Sequence, residues 1–196
     1  MSDKTNKSNL FGKYHDLVLL VLGIVLTALF GGILVSSWQN RAAALTRKAE
    51  HRRLEQEAAT KVFEELSRLM DSRLYKMRQV HIGLRYRKRS MQQRWDAYRE
   101  VLNEWNENLN RNLALTQRYF GDERRATLEG EINEGFRALG ELLEGGRYPT
   151  AARDQAQYRE AQIDSLSLSV YRFDSALISD IQKGKVGLYR NEGELQ

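Results

Sequence analysis

The chain has 196 residues, 41% hydrophobic and 29% charged, with a formal net charge of +5. That length holds one domain of ordinary size plus an attachment and argues against two full cores. The absence of cysteine excludes a disulfide-stapled module, a zinc–thiolate site and a cysteine nucleophile. Average usage of about 5% would give roughly ten prolines, yet Pro149 is the sole one, and the abundance of Ala, Leu, Glu, Arg and Gln predicts long helices.

Residues 1–16 form a polar tail, and residues 17–40 then carry no charge at all. A run of this length can cross the roughly 30 Å hydrocarbon core of a bilayer, so a single-pass transmembrane helix is expected over 17–38. Phe11 and Tyr14 before the run and Trp38 after it place amphipathic rings at both membrane interfaces. The apolar stretch is too long for a signal-peptide core, and Arg41 precedes the small residues Ala42, Ala43 and Ala44. Lys4, Lys7 and Lys13 lie on one side; Arg41, Arg47, Lys48, Arg52 and Arg53 lie on the other. By the positive-inside rule, three against five leans towards a cell-membrane protein with its C-terminal part in the cytoplasm. Gly23, Thr27 and Gly31 recur at four-residue spacing, a pattern that lets two membrane helices approach closely and leaves a homo-oligomer open.

Beyond the span, residues 39–58 read as a basic juxtamembrane stalk built on Arg41, Arg47, Lys48, Arg52 and Arg53. Ala59, Val62, Leu66, Leu69, Met77, Val80 and Leu84 then mark one helical face. From 38 to 84 an unbroken helix would measure about 70 Å. Arg85 to Arg89 form a polar connection, and Ser90 with Gln93 predicts a capping box. The second stripe is Met91, Trp95, Tyr98, Leu102, Trp105, Leu109, Asn112 and Thr116, with Gly121 as a C-terminal cap and Asp122 as the next N-terminal cap. Leu128, Ile132, Phe136, Leu139 and Leu143 make the third, weakened by Gly130, Gly135 and Gly140 and ended by Gly145 and Gly146. Pro149 and Thr150 restart the chain, and Ile163, Leu166, Val170, Phe173, Leu177 and Ile181 make the fourth stripe, ended by Gly184 and Gly187. Residues 165–170 alternate like a strand, but no second strand candidate exists to pair with them, so helix is expected. The expected fold is all-α: a membrane helix continuing into a stalk, an antiparallel four-helix bundle over 59–184, and a flexible tail over 185–196.

The three histidines, His15, His51 and His81, form no cluster, and no Glu-x-x-His pair, His-Glu-x-x-His, phosphate-cradling loop or nucleophile elbow is present. No catalytic residue, metal or cofactor is therefore expected. Two polar features stand out. Asn103, Asn106, Asn110 and Asn112 surround Trp105, and they read either as an internal hydrogen-bonding layer that fixes register or as a partner surface. Arg78, Arg85, Arg87, Lys88 and Arg89 make a basic tip, read either as a solvated turn or as a phosphate grip. Residues 41–91 hold fourteen basic against six acidic residues and 122–149 hold four against seven, so the stalk and first helix can face a more acidic third helix across the bundle or an acidic partner outside it.

In outline, an anchor followed by a four-helix bundle resembles bacterial chemoreceptor sensory domains. The likeness is architectural, and no residue role is taken from it. The expected function is a membrane-anchored, non-enzymatic bundle whose partners are the lipid bilayer and another protein, with nucleic acid disfavoured. Alternatives are a sensor whose bundle responds to a small ligand, and a module that binds anionic lipid or nucleic acid through the stalk or tip.

Overall fold

The computed structural model describes the backbone of residues 8–86, 89–146 and 154–190. Within these, it describes the side chains of 19–26, 38, 39, 41–86, 89–146 and 155–190. The elements are α1 (Ser8–Tyr86), α2 (Met91–Phe120), α3 (Asp122–Ala126), a π-helical stretch (Thr127–Asn133), α4 (Glu134–Gly145), α5 (Asp154–Gln182) and a short 3-10 turn (Gly187–Tyr189). The described residues contain no strand, so the fold is all-helical, and residues 165–170 lie within α5. The chain divides into two compact units, Met1–His51 and Arg52–Gln196.

In the first unit, the described apolar side chains between Leu19 and Leu26 are solvent-facing, from 43% exposed at Leu26 to 64% at Leu20. Among the described residues no helix is long and apolar enough to cross a membrane. Phe11, Tyr14, Thr27 and Gly31, and most of the span expected over 17–38, lie outside the described side chains.

In the second unit the pairing of helices can be read from contacts whose residue numbers run in opposite directions. The Arg68–Glu104 ion pair (2.8 Å) and the Arg94 hydrogen bond to the Gln79 carbonyl (3.0 Å) set α1 antiparallel to α2. Trp105 meets Asn133, and Tyr98 lies beside Gly140, so α2 runs antiparallel to the π stretch and α4. Arg124 pairs with Asp180 at 3.0 Å and Gly135 abuts Leu166, which gives the same sense against α5. Ser67 with Asp174, Arg78 with Asp164, and Arg85 with Glu160 close the cycle between α5 and α1. The dihedrals at Ala126, Thr127, Asn133 and Glu134 are all right-handed helical, so α3, the π stretch and α4 form one rod. Four rods in up-down-up-down order therefore enclose one core.

That core follows the four apolar stripes. Ala59, Leu66, Leu69, Met77 and Val80 from α1 are buried, as are Trp95, Tyr98 and Trp105 from α2. The third rod contributes Leu128, Ile132, Phe136, Leu139 and Leu143, and α5 contributes Ile163, Leu166, Val170, Phe173 and Leu177. A strict spacing of four, as in 128, 132 and 136, drifts by about 40° per step around an α-helix. The wider π turns offset that drift and keep the three side chains facing inward. The π stretch contains Gly130, the poor helix former at the centre of this segment.

Several boundaries differ from expectation. Ser90 makes no capping hydrogen bond; its hydroxyl accepts from Arg94 Nε instead, so the capping box with Gln93 does not form. Gly121 ends α2 at φ +96°, which a side chain would resist, and its N–H bonds the carbonyls of Gln117 and Thr116. Gly121 is also the N-cap of α3, so Asp122 is inside the first turn, where its carboxylate accepts from Gln117 Nε2. Arg52, Glu55 and Gln56, expected in the stalk, contact the C-terminal segment: Gln56 donates to the Ile181 carbonyl, Glu55 packs at Gly187, and Arg52 lies 5.1 Å from the Tyr189 ring centroid. Val186, expected in a flexible tail, is buried because the left-handed Gly184 and Gly187 fold the chain back onto the core. Pro149 and Thr150 lie outside the described residues.

A Cβ placed on Gly130 meets nothing within 4 Å, whereas one on Gly135 would lie 2.7 Å from Cδ1 of the buried Leu166. Gly130→Ala should stabilise the full chain by about 0.5–1 kcal/mol and raise its thermal midpoint by a few degrees. Gly135→Ala should lower the midpoint. Circular dichroism melts showing equal gains for both variants would contradict this packing.

Candidate functional site

The polar groups of interest are inside the bundle rather than on it. Arg73 is one turn beyond Leu69 and one turn before Met77, so helical geometry points it into the core, where it is 3% exposed. Its guanidinium carbon is 4.6 Å from the Phe136 ring centroid and 5.4 Å from that of Trp105. The two rings are 5.2 Å apart at 55°, so they form two sides of a cage. Trp105 Nε1 donates to Asn133 Oδ1 at 3.0 Å, which ties α2 to the end of the π stretch. Burial pushes the pKa of Tyr98, on α2, up and that of the Arg73 guanidinium down, and the attraction between the two groups opposes both shifts. No carboxylate pairs with Arg73 among the described residues, and its Nε and Nη1 are without a hydrogen-bond partner.

A second buried group lies nearer the α1–α2 end. His81, another turn on from Met77, is 4% exposed, and Arg159, one turn before Ile163 on α5, is equally buried. Burial first, and Arg159 second, hold the His81 imidazole below its ordinary pKa. Farther along α2, Asn112 and Thr116 are buried on the same stripe as Trp105.

The surface between α1 and α5 holds a groove of about 440 Å³ lined by Asp71, Tyr75, Arg78, Ser167, Tyr171 and Asp174, among others. Ser67 Oγ donates to Asp174 Oδ2 at 2.8 Å. Burial, with a smaller contribution from the Asp71 charge, pushes the Asp174 carboxyl up to about 6 against the hydroxyl's opposing effect. A smaller groove of about 320 Å³ separates α4 from α5 beside Gly135, Ala138, Ser165 and Ser169.

The expected site residues distribute differently from the readings based on spacing. Trp105 and Asn112 are interior, but Asn103, Asn106 and Asn110 are exposed on the outer face of α2, so these three do not build an internal layer. Of the basic tip, Arg78 pairs with Asp164 at 3.2 Å and Arg85 with Glu160 at 2.7 Å; Arg89 is exposed, and Arg87 and Lys88 lie outside the described residues. The cations of α1 thus find their partners on α2 and α5, its neighbours, rather than on the acidic third rod across the bundle. In the stalk, Arg41, Arg47, Lys48 and Arg52 are exposed and Arg53 approaches Glu57 at 3.4 Å. Trp38 is 75% exposed, and Gly23 is on α1.

Arg73, His81, Arg159, Asn133 and Asp174 were not singled out by motif. For the first three a signal existed: each is a polar residue four positions from an apolar stripe member, and the α1 stripe skips from Leu69 to Met77 where Arg73 belongs. Among the described residues no three acidic or histidine side chains gather in a way that could hold a metal ion. Comparison with known protein families, curated proteins and solved structures finds no match to this chain.

The raised Asp174 pKa fixes the sign of a pH effect. The native state holds this proton up to about pH 6, whereas an unfolded carboxyl releases it near 3.9. The contribution is therefore present in acid and lost as the pH rises through 6. Asp174→Asn should raise the thermal midpoint at pH 7.5 and lose that advantage by about pH 4. An equal shift at both pH values would show that the carboxyl is not held protonated.

Proposed function

We propose that this protein is a membrane-anchored, non-enzymatic helical bundle that binds or organises a protein partner. The anchor reading is supported by the uncharged run between Asp16 and Arg41 and by the exposed leucines, valines and isoleucine over 19–26. Scattered exposed apolar residues are ordinary on a protein surface, whereas a contiguous run of them calls for a cover. A bilayer supplies that cover, and the helical backbone of α1 keeps its own hydrogen bonds satisfied within it. Five basic residues after the span against three before it favour a cytoplasmic bundle.

The observation that carries the partner reading is the α1–α5 groove. Tyr75 and Tyr171, 58% and 69% exposed, are in its lining, and Leu168 and Ile178 extend the exposed apolar stripe along α5, three residues before Tyr171 and seven after. A helix of the partner laid along this stripe would bury all four side chains. Self-association through Gly23, Thr27 and Gly31 is compatible with the same role. Binding of nucleic acid through the basic tip is disfavoured, because Arg78 and Arg85 are already matched with carboxylates of α5.

One preparation tests both parts. Full chain reconstituted with phosphatidylcholine vesicles should float with the lipid and stay there at alkaline pH; release into the supernatant would contradict the anchor. In the same vesicles, Leu168→Glu with Tyr171→Glu should abolish cross-linking to a partner protein while leaving the thermal midpoint within about 2 °C, as expected for surface positions. Undiminished cross-linking would remove the groove from the account.

A further inference from the structure

We infer that His81 and Arg159 form a binding site for a phosphate-type anion inside the end of the bundle where α1 meets α5. A buried charge in a folded protein is ordinarily paired, because removing it from water costs several kcal/mol. Here Arg159 and His81 are each 4% exposed, and Nε of Arg159 and both ring nitrogens of His81 have no hydrogen-bond partner. The sole described hydrogen bond from the Arg159 guanidinium goes to a neutral acceptor, Gln155 Oε1, at 3.3 Å.

The two residues occupy the same level of the core. Arg85, one turn beyond His81 on α1, reaches Glu160, the residue after Arg159 on α5, at 2.7 Å. Gly146, the C-cap of α4, completes the arrangement: a Cβ there would lie 2.8 Å from Arg159 Nη1 and 3.2 Å from Leu84 Cδ1. The missing side chain leaves room for the guanidinium beneath the helix end. The last carbonyls of α4 carry partial negative charge, but no described hydrogen bond joins them to Arg159.

Among the described residues, the carboxylates that act on His81 are already committed. The charged groups that act on His81 are Arg159, Glu160 and Asp164 from α5 and Arg85 from α1. Glu160 is engaged by Arg85, and Asp164 by Arg78 at 3.2 Å. Residues 147–153, which connect α4 to α5, include two arginines and no acidic residue. A fixed cation and a titratable imidazole, both desolvated and both with donors unused, match a small oxyanion that accepts several hydrogen bonds. A phosphate monoester or inorganic phosphate has that chemistry, and so does a phospholipid headgroup. The inference does not depend on the surface groove between α1 and α5 or on the membrane anchor.

The test uses the purified full chain in detergent and inorganic phosphate as the probe, against chloride at matched ionic strength. Phosphate should raise the thermal midpoint saturably, on the order of 5–10 °C at about a hundredfold above its Kd. The rise should vanish in Arg159→Gln and His81→Asn and persist in Arg137→Gln, which alters a surface ion pair far along the sequence from either residue. Nuclear magnetic resonance of the wild-type histidines gives a readout that requires no variant to fold: phosphate should move the His81 titration upward, since a bound anion favours imidazolium. Vesicles containing phosphatidic acid, replacing free phosphate, distinguish the two sources, because a headgroup site would shift His81 with vesicles and not with phosphate. A midpoint that responds equally to chloride, a rise retained in Arg159→Gln, or a His81 titration indifferent to both probes would overturn the site.

Discussion

The bundle is organised around a guanidinium held between aromatic rings. Arg73 enters the core from α1 without a described carboxylate partner, and an unscreened cation there would be strongly destabilising. What makes its position tolerable is the cage: Phe136 from α4, Trp105 from α2 and the Tyr98 hydroxyl. Ring faces offer negative potential, and a desolvated cation–π contact contributes about 2 kcal/mol. Its components come from α1, α2 and α4, so the cage forms only when three of the four rods are in register. Trp105 adds a directional constraint by donating to Asn133, whose position depends on the π turns before it.

The surface repeats the same register at lower energy. Arg68–Glu104, Arg78–Asp164, Arg85–Glu160 and Arg124–Asp180 link neighbouring rods around the periphery. The first three are exposed and contribute at most about 1 kcal/mol each, so they discriminate between registers more than they hold the fold. They also determine which surfaces remain for function. Arg68, Arg78 and Arg85 of α1 are occupied in this way, and beside them apolar and aromatic side chains along α1 and α5 remain exposed.

The apolar stripes made the fold legible, because a 3.6-residue period is a local property of the chain. All five members of the third stripe, from Leu128 to Leu143, are in the core, as is the α5 stripe from Ile163 to Leu177. Gly121 and Gly184 were readable as helix ends for the same local reason. What was not legible depends on contacts between rods. Ser90 and Gln93 have the capping-box spacing, yet Arg94 takes the serine hydroxyl. The asparagines around Trp105 suggest a polar layer, but only Asn112 of that group is buried, while the tryptophan finds Asn133 twenty-eight residues away. Arg73, His81 and Arg159 read as ordinary charged positions until a stripe is extended through them, because hydrophobic spacing alone does not mark a cation that the core encloses.

The proposed groove and anion site both rest on the four-rod arrangement of the second unit. That arrangement depends on the cage around Arg73 being an energetic unit rather than a set of neighbours. A double-mutant cycle on Arg73→Met and Trp105→Leu, read by chemical denaturation of the full chain, measures this directly. The account predicts a coupling energy of at least about 1 kcal/mol between the two positions. Additivity within about 0.3–0.5 kcal/mol would contradict it.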